Sequence, residues 1–186
     1  MDDTLCTPAE SRFQVQIGEV VLGQREELLE VAALPGEQVT VAVTNQMQTL
    51  VLEVGAQALV SFNHFVREAP GLPPGGDVRV TLTRQLVDQS GALLPDMVEE
   101  LLPMEGRVSV TLDPESSQYF VNIEDARVND SAVYSLEVCS ESGALVGVCV
   151  SAAVTVFVLD CELSEGGHVC IGCNFLFFKQ WCQPLR

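Results

Sequence analysis

Short runs of alternating apolar residues, separated by turn residues, recur through the middle of this 186-residue chain and confine it to an all-β arrangement. Residues 38–43 and 49–54 read as an opening strand pair. Residues 57–65 follow Gly55 as the next strand, and residues 77–84 alternate Val78, Val80 and Leu82. Further strands are expected from Arg107, over 118–123, over 132–138 and over 148–158. Strands this short and this evenly spaced bury their apolar faces by packing two antiparallel sheets into a sandwich. Residues 70–76 form a Pro/Gly-rich loop. The acidic stretch that Pro95 and Pro103 bracket reads as one helical turn. No internal repeat or low-complexity tract is read.

The turn at Pro35-Gly36 divides the sandwich, residues 35–160, from an N-terminal extension, residues 1–34. Within the extension Phe13, Val15 and Ile17 alternate as a short strand would, and residues 25–34 suit either two helical turns or another strand. Residues 161–186 form a Cys/aromatic-rich C-terminal tail. They hold four of the seven cysteines and the cluster Phe175, Phe177, Phe178 and Trp181, and are expected to pack weakly on the sandwich.

Charge narrows the range of partners. With 26 acidic and 9 basic residues the net charge is −17, a surface that repels nucleic-acid phosphates and anionic membranes. The longest apolar segment, residues 148–159, is too short for a helical membrane span. The first twenty residues lack a basic start and an apolar core of the secretory type, so a cytoplasmic location is expected. The alternative is a cell-surface or secreted protein in a form without its leader.

The segment Asp130-Ser131-Ala132-Val133-Tyr134-Ser135-Leu136 resembles the strand F signature of immunoglobulin-superfamily domains, with leucine in place of the usual cysteine. The resemblance implies an immunoglobulin-like antiparallel β-sandwich. It also implies a Tyr134 hydroxyl bonded back to nearby backbone, and an ion pair between Asp130 and a basic residue opening strand D, here Arg107. Val121, Ile123 and Ala126 match the inward positions of strand E. The two positions of the usual inter-sheet disulfide fall on Phe62 and Leu136, so an apolar plug stands where a bridge would. Tyr134-Ser135-Leu136 with Val138 and Ser142-Gly143 is similar to intracellular I-set domains of muscle and cytoskeletal proteins. Arg107 with Asp130 equally resembles V-set domains of cell-surface receptors. The I-set likeness covers roughly residues 105–160. Departures are the absence of a strand C tryptophan and Ser140 in the F–G turn.

Residue types that carry chemistry are few. His64 sits beside Phe62 on an expected strand with no nucleophile placed for it. Cys170-x2-Cys173 has the bite of a zinc knuckle, which Cys161, His168 or Cys182 would complete, yet the spacing matches no familiar zinc finger. The weight falls on a cysteine-bearing tail and no cofactor. Cys139 and Cys149 flank the expected F–G loop and would bridge in an oxidising compartment or remain thiols in cytosol. Asn129-Asp130-Ser131 is a glycosylation sequon, relevant only to a secreted chain. Glu99-Glu100 reads as a solvated face. The expectation is a non-catalytic protein–protein interaction module, first of all an intracellular cytoskeletal-type scaffold. A cell-surface or secreted recognition or adhesion domain is the alternative.

Overall fold

A computed structural model describes residues 29–44, 48–68, 77–88, 92–141, 146–164 and 167–171. Its elements are β1 (Leu29–Ala33), β2 (Gln38–Ala42), β3 (Gln48–Glu53), β4 (Gln57–Ser61), α1 (Asn63–Glu68), β5 (Val78–Val87), β6 (Leu93–Leu101), β7 (Val108–Asp113), β8 (Gln118–Ile123), a 3-10 turn (Val128–Asp130), β9 (Ala132–Ser140), β10 (Cys149–Ser164) and β11 (Gly167–Ile171). They form two sheets, one ordered β1-β3-β10-β9-β5-β6 with β11 added to β10, the other β2-β4-β8-β7. The architecture is all-β and consistent with a β-sandwich.

The core follows from period-2 alternation on both sheets. In β8, Tyr119, Val121 and Ile123 are buried between less buried neighbours; in β9, Ala132, Tyr134, Leu136 and Val138 do the same. Phe62 and Leu136 are fully buried members of one apolar cluster that draws on both sheets. Each such side chain contributes roughly 1.5–3 kcal/mol through burial.

Several sequence expectations are corrected. The sheets are mixed rather than antiparallel, because β1 with β3, β3 with β10, and β2 with β4 all pair in parallel. Residues 38–43 and 49–54 do not pair with each other: β2 and β3 belong to different sheets. The strand expected over 57–65 ends at Ser61 and turns into α1. Phe62, Phe65 and Val66 stand at helical spacing, and Val66 N donates to Phe62 O at 3.1 Å. The Asn63 side-chain oxygen accepts from Tyr119 N at 2.7 Å, which fastens the helix to β8. The acidic stretch around Pro95 is not a helical turn but the edge strand β6. β1, drawn from the segment read as an extension, is hydrogen-bonded to β3, and β10 runs past Leu159 to Ser164.

A structural duplication joins the first four strands. Leu29 pairs with Gln48 in one sheet and Gln38 with Gln57 in the other, the same 19-residue offset in both. β1–β2 and β3–β4 are thus two stacked rungs, each a strand in one sheet, a glycine corner and a strand in the other. Both corners use glycine in the left-handed region, Gly36 at φ 79° and Gly55 at φ 89°, where a β-carbon is strained. Gly36 N donates to Gly55 O and Gln57 N to Glu37 O, so the corners themselves are bonded.

Candidate interaction surface

The most organised polar cluster pins β7 to the entrance of β9. Arg107 Nη1 and Nη2 donate to the two carboxylate oxygens of Asp130 at 2.6 and 2.9 Å, and Arg127 N donates to Oδ2 at 2.8 Å. The Tyr134 hydroxyl donates to the Asp130 carbonyl at 3.1 Å. Asp130 is 2 % exposed, so its charge is tolerated only because both oxygens are occupied. The hydrogen bonds that Arg107 donates to Asp130 push the Arg107 pKa further up, so the guanidinium stays charged. Burial, aided by the Asp130 charge, pushes the Tyr134 phenol up to about 12. Both Arg107 Nη atoms and the Tyr134 hydroxyl donate within this knot, which fastens the start of β7 to the entrance of β9.

A second grouping lies on β9 and β10. Cys139 and Cys149 face each other in register, with Cα atoms 4.0 Å apart, and are joined by a disulfide. Glu137 is placed two positions along β9. Its carboxylate and the two sulfurs are the one set of metal-ligand atoms lying close together among the described residues. The bridge consumes both thiolates, so in this oxidised form the set offers a cation one carboxylate. In the tail, Cys161 is the register partner of Cys170 and His168 that of Leu163. Cys173 and Cys182 lie outside the described residues. His64 is exposed on α1. Asn129 is exposed on the 3-10 turn.

The third feature, which sequence reasoning missed, is the edge strand β6. It closes one end of the larger sheet and pairs with β5 through Leu82↔Leu101, Arg84↔Glu99 and Gln85↔Val98. Leu93, Met97 and Val98 are half or more exposed there, and Leu102 and Met104 continue the apolar strip at 66 % and 44 % exposure. Asp96, Glu99 and Glu100 are exposed among them. Arg84 Nη2 donates to Glu99 Oε2 at 2.5 Å and ties the edge to its neighbour. Leu93, Met97 and Leu101 are four residues apart, as are Leu94, Val98 and Leu102, a helix-like spacing that disguises the strand. Pro95 inside that spacing was the available signal against a helix.

No family model matches this chain, and no curated protein matches it. No described helix is long and apolar enough to cross a membrane. The described residues thus present an apolar edge strand flanked by acidic side chains and a disulfide-bridged hairpin.

Proposed function

We propose that this chain is a non-catalytic protein–protein interaction module with an immunoglobulin-like fold. The strand orders support the fold reading. β2-β4-β8-β7 corresponds to the A-B-E-D sheet of such domains and β3-β10-β9-β5-β6 to A′-G-F-C-C′. The knot of Arg107, Asp130 and Tyr134 sits where that family fastens its strand F corner. The doubled first rung and the parallel β2–β4 pair depart from the family pattern.

The single observation that carries the interaction reading is the exposed apolar edge of β6. Large apolar side chains grouped at an open sheet edge mark a contact site, and an edge strand also offers unpaired backbone for strand addition. The partner surface is apolar with a basic rim, since acidic side chains flank the strip and the whole chain carries −17. A photo-crosslinking residue at Met97 should capture a discrete protein in expressing cells, and Val98→Glu with Leu102→Glu should abolish capture. Undiminished capture by the double variant would remove the edge from the proposal.

The fully buried Phe62 and Leu136 suit a cytoplasmic scaffold of the cytoskeletal type, because an apolar plug is indifferent to reduction. One observation favours the second reading, a cell-surface or secreted recognition domain: the Cys139–Cys149 bridge persists only in an oxidising compartment, and the exposed Asn129 is accessible to a glycan. Alkylation of unreduced native protein separates the two. Blocked thiols at both positions with an occupied Asn129 select the surface reading; full alkylation with bare Asn129 selects the scaffold.

A further inference from the structure

The bridged pair at the loop end of the β9–β10 hairpin is held in place twice, and only one of the two ties is covalent. Cys139 and Cys149 are the last pair of a ladder that runs without a break to Ala132↔Val156. Just beyond them Ser140 N donates to Val148 O and Gly147 N to Ser140 O, both at 2.9 Å. On its other side β9 is paired with β5 from Ser140↔Val78 to Ala132↔Leu86. The backbone ladder therefore fixes the register without help from the sulfurs. Closely spaced positions of an antiparallel pair stand about 4.5 Å apart at Cα. This pair, at 4.0 Å, is one of them. Two cysteines so placed stay side by side when the bond between them is broken.

Glu137 completes a ligand set. It stands two residues before Cys139 on β9, on the same sheet face by strand alternation. A carboxylate oxygen of Glu137 and the two sulfurs all lie within 4.8 Å of one another. Glu137 and Cys149 are exposed, so both a reductant and an ion can reach the set, while Cys139 is buried. Once reduced, the three positions offer two thiolates and a carboxylate. These are zinc ligands, reaching the ion at about 2.0–2.3 Å and leaving a fourth tetrahedral position for water. Magnesium and calcium, which take oxygen ligands, find a single carboxylate here. A dication held by three anionic ligands leaves one negative charge. Arg79, the exposed register partner of Cys139 on β5, stands beside the set to offset it.

We propose that Cys139, Cys149 and Glu137 form a redox-gated site for a thiophilic divalent cation of the zinc class. The site is closed to the ion while the bridge stands and opens when a dithiol reductant breaks it. One reductant thiolate attacks Cys149 Sγ, the S–S bond breaks, and Cys139 leaves as thiolate. The second reductant thiolate then releases Cys149, and the reductant departs as a cyclic disulfide carrying the oxidation. The two reductant protons pass to the cysteines or to solvent. Binding of the ion returns any protons on the cysteines to solvent, so both sulfurs meet it as thiolates. The inference rests on the hairpin geometry and is independent of the interaction reading and of the β6 edge.

Cadmium, a spectroscopic stand-in for zinc at thiolates, tests it on the full chain with Cys6, Cys161, Cys170, Cys173 and Cys182 replaced by serine. The protein is reduced with a phosphine, desalted without oxygen and titrated. The reduced chain should bind about one ion, with the ultraviolet absorbance of sulfur-to-cadmium charge transfer, and the oxidised chain none. Zinc should displace the cadmium, and magnesium or calcium should not. Glu137→Gln should weaken binding at least about tenfold, and Cys139→Ser with Cys149→Ser should abolish it. Zinc should also raise the thermal midpoint of the reduced chain and leave that of the oxidised chain unchanged. Failure of the reduced chain to bind overturns the proposal, as does equal binding before and after reduction. Unchanged affinity in Glu137→Gln overturns the three-ligand site. Hydrogen exchange checks the ladder: loss of protection across β9 and β10 on reduction overturns the proposal too, because the ligands would no longer be held together.

Discussion

Tyr134 is the residue on which the corner turns, and its chemistry can be read in solution. Its phenol is fully buried, donates to the Asp130 carbonyl, and is pushed up to about 12 by burial and the nearby Asp130 charge. An unfolded tyrosine ionises near pH 10, so folding is opposed by phenolate formation only above that value. The associated stability is complete below pH 10, falls as pH rises between about 10 and 12, and is gone beyond; it amounts to on the order of 2–3 kcal/mol. Phenolate absorbance followed against pH should therefore show both tyrosines ionising above their ordinary value, because Tyr119 is also raised, by burial and then by Asp113. Tyr134→Phe should remove the step near 12. Arg107→Ala leaves the buried Asp130 carboxylate without its ion-pair partner. We expect a loss of about 2–4 kcal/mol in chemical denaturation, less than for a fully enclosed pair because the guanidinium is partly exposed. Asp130→Asn in that background should restore at least about 1 kcal/mol in a double-mutant cycle, since it removes the stranded charge. In the core, Phe62→Ala should cost about 3–5 kcal/mol and Leu136→Ala about 2–5. A loss under about 1 kcal/mol at either position would place it outside the packed interior.

At the scale of the element, the β9–β10 hairpin carries a covalent tie that its sequence foreshadowed only in part. Cys139 and Cys149 stand on adjacent antiparallel strands in direct register, and the bridge closes a loop of separation 10. By loop-closure entropy its reduction should lower stability by about 2–3 kcal/mol, with β9 and β10 still paired by backbone hydrogen bonds. Equal denaturation midpoints with and without reductant would show that the tie constrains nothing. The strands legible in the sequence were those with one buried face. β8 and β9 alternate apolar and polar side chains, so period 2 located them to within two residues. β6 was illegible because it is exposed on most of its length, so no burial stamped alternation on it, and its four-residue apolar spacing imitates a helix. α1 was hidden for the opposite reason, since Phe62 ends an apolar strand and begins an apolar helix without a break in hydrophobicity. The doubled rung was missed because Gly36/Gly55, Gln38/Gln57 and Val41/Val60 are the only identities at the 19-residue offset across the paired strands and their corners; backbone register, not side-chain likeness, makes the repeat.

For the whole molecule, the arrangement of pairings decides which parts hold the others up. β10 is the spine of the larger sheet: its residues 149–156 pair with β9 and 154–159 with β3, whereas from Asp160 onward its described pairing is with β11 alone. The β10–β11 hairpin is therefore an appendage of the spine rather than a support for it. Truncation after Asp160 should shift the thermal midpoint by no more than about 2–4 °C, the equivalent of roughly 1 kcal/mol in a domain of this size. A larger fall would mean that the hairpin buries a sheet face. The same truncation leaves the charge problem untouched. Few of the 26 acidic side chains are neutralised by the described ion pairs, at Arg79–Glu141, Arg84–Glu99, Arg107–Asp130 and Arg127–Asp125. Self-repulsion of this kind is screened by salt, so both full and truncated chains should gain stability as salt rises from low values to about 0.15 M. Association with a basic-rimmed partner at β6 should slow over the same range, because screening removes the attraction that steers encounter. Stability that rises while association slows is the expected signature of an acidic contact module. Salt-insensitive association would make the apolar strip sufficient by itself.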